Sequence, residues 1–199
     1  MSTAYNLWYP DLAPAIGFAA ILHSNQTRKG TSIPYISHLL AVAAIVLEHG
    51  GDRDEVLAAV LHDSIEDQAE SYPGGACALR AEIQKCFGRA VLAIVEGCTD
   101  ADTYPKPSWR ERKERYIAHL SSASPSVRLV SCADKLHNAR CIAADYRVLG
   151  DDLFTRFTAG KEGTLWYYRK LADAFMELGP GRLAEELGRV VCEFGAQRR

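Results

Sequence analysis

The stretch LHDSIED, residues 61–67, places His62, Asp63, Glu66 and Asp67 directly after an apolar run. Residues three and four apart share one face of a helix, so these four ionisable groups would crowd together at a helix end. Negative charge is unfavourable at a helix C-terminus, because the macrodipole is already negative there. A divalent cation would offset that charge, and a histidine beside a carboxylate is a suitable ligand pair for a first-row metal. The stretch therefore predicts part of a metal site.

Two further segments offer residues that could complete this site. PYISHLL contains His38 among apolar neighbours, and SCADKLHNAR contains Asp134 after an apolar stripe. A buried carboxylate is costly unless it is paired or bound to a metal. His38, His62, Asp63 and Asp134 together would leave coordination positions open for water and substrate, as catalytic metal sites require. One His-Asp dipeptide is commonplace, so the prediction depends on three separate elements each carrying a fitting residue.

The elements that must position these residues are predicted to be helices. Apolar residues recur at helical spacing, and cap residues and glycines mark the ends of many segments. No run alternates apolar and polar residues between turn dipeptides, so we expect an all-α protein without a β-sheet. The predicted helices, about ten in all, are 11–24, 34–51, 52–67, 75–87, 89–98, 107–122, 125–148, 150–158, 162–178 and 181–196.

Composition narrows the class of protein. The 199 residues are 48% hydrophobic and 24% charged, with a formal net charge of −2, which is ordinary for a globular domain and disfavours nucleic-acid binding. The six cysteines include no CxxC pair, and the N-terminus lacks the pattern of a secretory signal. No apolar stretch is long enough to span a membrane. We expect a single domain over residues 1–199 in a cytoplasmic protein; the sequence does not indicate its oligomeric state.

Several blocks of the chain, taken in order, resemble a known family. These blocks resemble the hydrolase domain of the RelA/SpoT type, within the HD superfamily of metal-dependent phosphohydrolases, and the chain length is similar to the stand-alone small alarmone hydrolases. LHDSIED and CADKLHNAR are the specific part, and the resemblance covers about residues 15 to 178. The blocks are HSNQTRKGTSIPYISHLLAVA (23–43), LHDSIED (61–67), FGRAVLAIVEGCTD (87–100) and CADKLHNAR (132–140).

The resemblance implies a role for each matching residue. The family's metal ligands fall on His38, His62, Asp63 and Asp134, and its usual ion is one Mn²⁺ per site. Its acidic pair beside the metal falls on Glu66 and Asp67, as catalytic residues. Its substrate-binding residues fall on Arg28, Lys29, Asn138 and, for the aromatic side chain that closes the nucleoside pocket, near Tyr167. Trp166 and Tyr168 remain alternatives to Tyr167, and Cys141 departs from the family, which often has Thr there.

The implied reaction is the hydrolysis of a 3′-pyrophosphate from a small nucleotide, such as ppGpp or ppApp, to pyrophosphate and the 5′-phosphorylated nucleoside. Two alternatives stay open at this point. One is an HD phosphohydrolase of different specificity, such as an NADPH 2′-phosphatase. The other is a nucleotide sensor that binds an alarmone without hydrolysing it.

The basic run SWRERKERY is a second source of positive charge for an anionic substrate. It offers Arg110, Arg112, Lys113 and Arg115. Glu–Arg pairs four residues apart would instead make it a solvated helix face, and that interpretation is favoured.

Overall fold

A computed structural model of the chain describes residues 10–100, 107–179 and 181–195. These residues form α-helices and one 3-10 segment, with a single isolated bridge between Thr27 and Pro34 and no strand within the ranges described. The prediction of an all-α fold of about ten helices is confirmed. The α-helices are α1 (Leu12–Leu22), α2 (Ile36–Glu48), α3 (Arg53–Leu61), α4 (Ser64–Gln68), α5 (Gly75–Phe87), α6 (Arg89–Cys98), α7 (Trp109–Leu120), α8 (Pro125–Leu149), α9 (Gly160–Leu178) and α10 (Arg182–Gly195).

Two predicted helices differ from the structure. The predicted helix 52–67 is broken, because α3 ends at Leu61 and α4 begins at Ser64, with His62 and Asp63 at the junction. The predicted helix 150–158 is instead the 3-10 segment Gly150–Arg156. Residues 101–106, between the predicted helices 89–98 and 107–122, lie outside the described residues.

Local sequence explains where α3 begins and where α8, the longest helix described, begins and ends. Asp52 and Glu55 form a reciprocal capping box at the start of α3. At α8, the Ser124 side chain accepts a hydrogen bond from the Val127 amide and Pro125 occupies the first turn. Gly150 ends α8 at a φ of 59°, a conformation that side chains with a Cβ disfavour.

The helices that carry the candidate ligands pack against one another. α2, α3 and α8 make mutual contacts, and their facing side chains, such as Leu39, Leu57 and Leu136, are buried in one apolar core. α10 also packs against α8, and α9 packs mainly against α10. The core therefore fixes the three ligand-bearing elements relative to one another. In the ranges described, no helix has both the length and the apolar character needed to cross a membrane.

Candidate active site

Side chains from α2, α8 and the α3–α4 junction converge on one buried point. The ligand atoms of His38, His62 and Asp134 all lie within 4.8 Å of one another. The Oδ1 atom of Asp134 is 3.2 Å from His38 Nε2 and 3.8 Å from His62 Nε2. The Oδ2 atom of Asp63 is 3.5 Å from His38 Nε2 and 3.0 Å from His62 Nε2. Residues far apart in the sequence are thus brought together at one site.

The chemistry of these four groups fits a divalent metal ion. The Nε2 atoms of His38 and His62 are buried, and neither has a hydrogen-bond partner among the described residues. His62 Nδ1 lies 2.8 Å from the Ala59 carbonyl oxygen, which can only accept, so Nδ1 carries the proton and Nε2 has the lone pair in the neutral ring. The lone pair on a histidine nitrogen and a carboxylate oxygen that faces it repel each other unless a proton or a cation lies between them. A pair of histidines with two carboxylates can hold such a cation.

Charge at this point is balanced by neighbouring groups. Burial alone would raise the pKa of Asp134, but Lys135, which donates to its Oδ2 atom, and the two histidines hold that pKa well below 3.8. Burial would lower the pKa of His62, but Asp63 and Asp134 outweigh it and raise the pKa well above 6.5. A cation bound at this point would offset the same carboxylates that raise the pKa of His62.

Glu66 and Asp67 lie next to this group on the short helix α4. Burial, followed by the charges of Asp63 and Asp100, raises the pKa of Glu66 above 4.5. Desolvation and the charge of Asp63 likewise raise the pKa of Asp67 above 3.8. The Asp100 amide donates to Glu66 Oε2 at 3.1 Å, and Gln26 Nε2 donates to Asp67 Oδ2 at 2.7 Å. Both carboxylates are held in place, and with their raised pKa values they favour a proton more than a carboxylate of ordinary pKa does.

The basic run on α7 divides into two faces. Arg110 pairs with Glu114 and Arg115 pairs with Glu111, which is the solvated arrangement that the sequence favoured. Arg112 and Lys113 instead turn inward and donate to Asp100 Oδ2 at 2.7 and 2.6 Å. The inward face of α7 therefore supports the residue whose amide holds Glu66.

A cavity of about 480 Å³ adjoins the metal-ligand group. This volume is within the roughly 300–1,000 Å³ range of small-molecule sites. Asn138 links the two regions, because its Nδ2 donates to Asp134 Oδ1 at 2.5 Å while its Oδ1 accepts from Arg28 Nη2 at 2.6 Å. The lining comprises Arg28, Lys29, Thr31, Ile33, Tyr35, Ser37, His137, Asn138, Cys141, Ile142, Ala144, Asp145, Leu153, Arg156, Phe157 and Tyr168.

Comparison with known proteins assigns the chain to a family. Residues 15–165 match the profile of the HD domain. The chain belongs to the HD-domain family. The match covers the candidate ligands, Glu66, Asp67 and most of the cavity.

Relatives of this HD-domain protein include named hydrolases. The guanosine-3′,5′-bis(diphosphate) 3′-pyrophosphohydrolase MESH1 of Xenopus tropicalis is 40% identical over 129 residues, which are 63% of this chain and 66% of that protein. The human MESH1 is 38% identical over 132 residues, 65% of this chain and 68% of that protein. The aligned segment thus spans about two thirds of these relatives. The solved structure of a metazoan ortholog of SpoT shares the fold, with a TM-score of 0.73 and 24% identity over 94% of this chain and 96% of that one.

Within this HD-domain fold, the aromatic residues near 167 are separated by their position on α9. Tyr168 lines the cavity. Tyr167 is buried on another side, against Trp109 and beneath the Lys113 ammonium, which is 5.0 Å from the Tyr167 ring centre. Arg28, Lys29 and Asn138 all line the cavity. Of the predicted substrate-binding residues, Tyr167 is therefore the one that the structure places away from it.

Two residues beside the predicted ligands of the HD-domain site, Tyr35 and His137, are absent from the predicted site residues; the sequence favours a structural role for His137. The Tyr35 hydroxyl donates to Asp63 Oδ2 at 2.6 Å. His137 Nδ1 lies 2.7 Å from His38 Nδ1, and its Nε2 lies 3.7 Å from Cys141 Sγ. Burial and the neighbouring His38 and Arg28 lower the pKa of His137 to about 4, so this ring is neutral at pH 7 and can accept the proton of His38 Nδ1. The sequence signal was the position of His137, three residues after Asp134, which places it near the site. A histidine with a purely structural role could occupy the same position.

Proposed function

We propose that this HD-domain hydrolase is a Mn²⁺-dependent 3′-pyrophosphohydrolase of guanosine or adenosine alarmones, such as ppGpp or ppApp, and acts in the cytoplasm. The observation that carries the proposal is the Asp134–Asn138–Arg28 connection, which joins the His/Asp group to a cavity of nucleoside size. The named activity of the MESH1 relatives supports the same reaction. A 3′-pyrophosphate would then lie at the His/Asp group while its nucleoside fills the cavity.

In this proposal His38, His62, Asp63 and Asp134 hold the cation. When bound, the cation supplies Lewis-acid polarisation of the phosphate and makes a coordinated water a stronger acid. Lys135 keeps Asp134 ionised and oriented, and Tyr35 orients Asp63. Supporting contacts of this kind fix the ligands before the metal arrives.

Glu66 and Asp67 are the proposed acid–base pair. Water attacks the phosphorus attached to the 3′ oxygen, the bond from that phosphorus to the oxygen breaks, and the departing oxygen gains a proton. A carboxyl group with a raised pKa is suited to hold and deliver a proton near neutral pH. The contacts from Asp100 and Gln26 keep the two carboxylates beside the reacting bond.

Arg28, Lys29 and Asn138 are the proposed contacts to the nucleotide, and the aromatic contact is one of Trp166, Tyr167 and Tyr168. Arg28 is placed to stack on a base, since its guanidinium is planar and lines the cavity. Tyr168, which lines the cavity, fits the aromatic role better than Tyr167 does. The substrate is a small nucleotide, and no nucleic acid or membrane partner is proposed.

The test is product analysis with ppGpp and ppApp in separate reactions containing Mn²⁺. We expect pyrophosphate and the 5′-phosphorylated nucleoside from at least one substrate. Failure to release pyrophosphate from either, with metal bound, would contradict the proposal. In that case, inorganic phosphate from a substrate such as NADPH would indicate a different phosphatase, and tight alarmone binding without turnover would indicate a sensor.

A further inference from the structure

One face of α8 connects the metal-ligand group to the far end of the cavity. Asp134, Asn138, Cys141 and Asp145 follow one another at steps of four, three and four residues, so they lie on the same side of the helix. At 1.5 Å per residue, Asp145 is about 16 Å along the helix axis from Asp134. A nucleotide whose phosphate lies beside Asp134 therefore extends its base towards Asp145.

Asp145 is held in the cavity wall by an ion pair with the 3-10 segment. Arg156 Nη1 donates to Asp145 Oδ2 at 2.9 Å. Arg156 is itself packed under the 25–34 loop, where a Cβ added to Gly30 would lie 2.8 Å from Arg156 Cδ. An ionised carboxylate has about four lone-pair sites, and this ion pair uses one of them. The pair thus fixes the carboxylate and leaves it able to accept hydrogen bonds from a ligand.

The cavity lining also contains apolar side chains. These include Ile142, on the same helix as Asp145, and Leu153 and Phe157, which lie beside Arg156 in the sequence. Apolar walls accommodate the faces of a flat ring, and a few fixed polar groups read its edge. Asp145 is the carboxylate among the lining residues, so it is the group that can accept from base donors without also offering one.

We propose that Asp145, positioned by Arg156, selects guanine over adenine; this inference rests on the proposed function. Guanine presents two neighbouring donors, N1–H and the 2-amino group, which a carboxylate can accept together. Adenine presents the N1 lone pair on the corresponding edge, which a carboxylate repels, and its 6-amino group is the single donor there. Selection therefore combines an attractive contact to one base with a repulsive contact to the other.

The experiment compares kcat/KM for ppGpp and ppApp in the wild-type protein and in Asp145→Asn. We expect the wild type to prefer ppGpp. We expect Asp145→Asn to lower the ppGpp/ppApp ratio by roughly tenfold or more, because an amide offers one donor and one acceptor and pairs well with adenine. Because a ratio is measured, a general loss of stability or activity cancels. Asp152→Asn is the matched control, since Asp152 is exposed on the 3-10 segment outside the cavity lining, and its ratio should stay at the wild-type value.

Equilibrium binding of GDP and ADP separates this inference from the proposed function. We expect GDP to bind the wild type more tightly than ADP, and Asp145→Asn to reduce that difference. If both alarmones are hydrolysed but Asp145→Asn leaves the ratio unchanged, or if the wild type prefers ppApp, the inference is wrong and the hydrolase function stands. If neither alarmone is hydrolysed, the proposed function fails, and the GDP and ADP affinities still decide whether Asp145 reads the base.

Discussion

The two ends of the cavity-facing side of α8 are built in opposite ways. At the Asp134 end, charged and polar groups from α2, the α3–α4 junction and α8 are buried and joined by short hydrogen bonds. At the Asp145 end, apolar side chains surround one ion pair, whose Asp145 and Arg156 side chains are 46% and 26% exposed. The first end is suited to bond breaking and the second to recognition, so each should be alterable without the other.

The largest expected effect is from removing a ligand at the Asp134 end. His62→Ala should lower kcat/KM for the alarmone by about 10³-fold or more, because metal polarisation contributes several kcal/mol to the transition state. Bound metal, measured on the purified protein, should fall in parallel, while GDP affinity should remain. His119→Ala alters an exposed histidine and is the control. Loss of GDP binding in His62→Ala would show that the two ends are not separable.

A smaller loss is expected when the proton-transfer group is altered and the ligands are kept. Glu66→Gln should lower kcat by roughly 10²-fold or more, in the range of general acid–base catalysis, with the metal content unchanged. Glu70→Gln, on an exposed neighbour, should leave kcat unchanged. Activity close to wild type in Glu66→Gln would leave Asp67 as the acid–base group.

The recognition end can be disturbed through a glycine. Gly30 and Gly50 have φ angles of 71° and 77°, so alanine at either position should cost about 1–2 kcal/mol of unfolding free energy. The added Cβ meets Arg156 only at Gly30, since nothing lies within 4 Å at Gly50. Gly30→Ala should therefore raise KM several-fold, by shifting Arg156, with kcat maintained. An equal KM in the two variants would mean that Arg156 does not shape the cavity.

The smallest effect concerns His137, between the two ends. Its folded-state pKa of about 4 is below the 6.5 of an exposed histidine, so the unfolded chain binds the additional proton between these values. Stability should consequently fall as the pH decreases from 6.5 towards 4, by on the order of 1 kcal/mol after screening by solvent. His137→Gln should lack this component in metal-free denaturation curves. Parallel curves for the two proteins across that pH range would contradict the prediction.

The contrast between the Asp134 end and the Asp145 end also explains which features could be predicted from the sequence. Each ligand motif is commonplace alone, but three such motifs in one chain are not, so His38, His62 and Asp134 could be proposed as one group from the order and spacing of those motifs. The helical periodicity likewise predicted the fold and the bounds of α5 and α6. The break at His62 was not foreseen, because the helix propensities of His, Asp and Ser are only about 0.7 kcal/mol or less per residue below that of Ala, which does not by itself mark a helix end.

The Asp145 end could not be foreseen in the same way. Asp145 and Arg156 are ordinary charged residues in the sequence, and their pairing depends on how the 3-10 segment folds back on α8. Tyr167 and Tyr168 are adjacent, so only the orientation of α9 decides which of them lines the cavity. Contacts between elements, rather than local pattern, determine this end.

The 25–34 loop that covers the cavity is cross-linked by its own backbone. The Arg28 amide donates to the Ile33 carbonyl at 2.8 Å, and the Tyr35 amide donates to the Gln26 carbonyl at 2.9 Å. Ordering a free backbone costs about 1–2 kcal/mol per residue in conformational entropy. Because folding already orders this loop, ligand binding does not have to. The cavity is therefore preformed, and under the proposed function the association rate of a nucleotide should be governed by diffusion and charge rather than by closure of the loop.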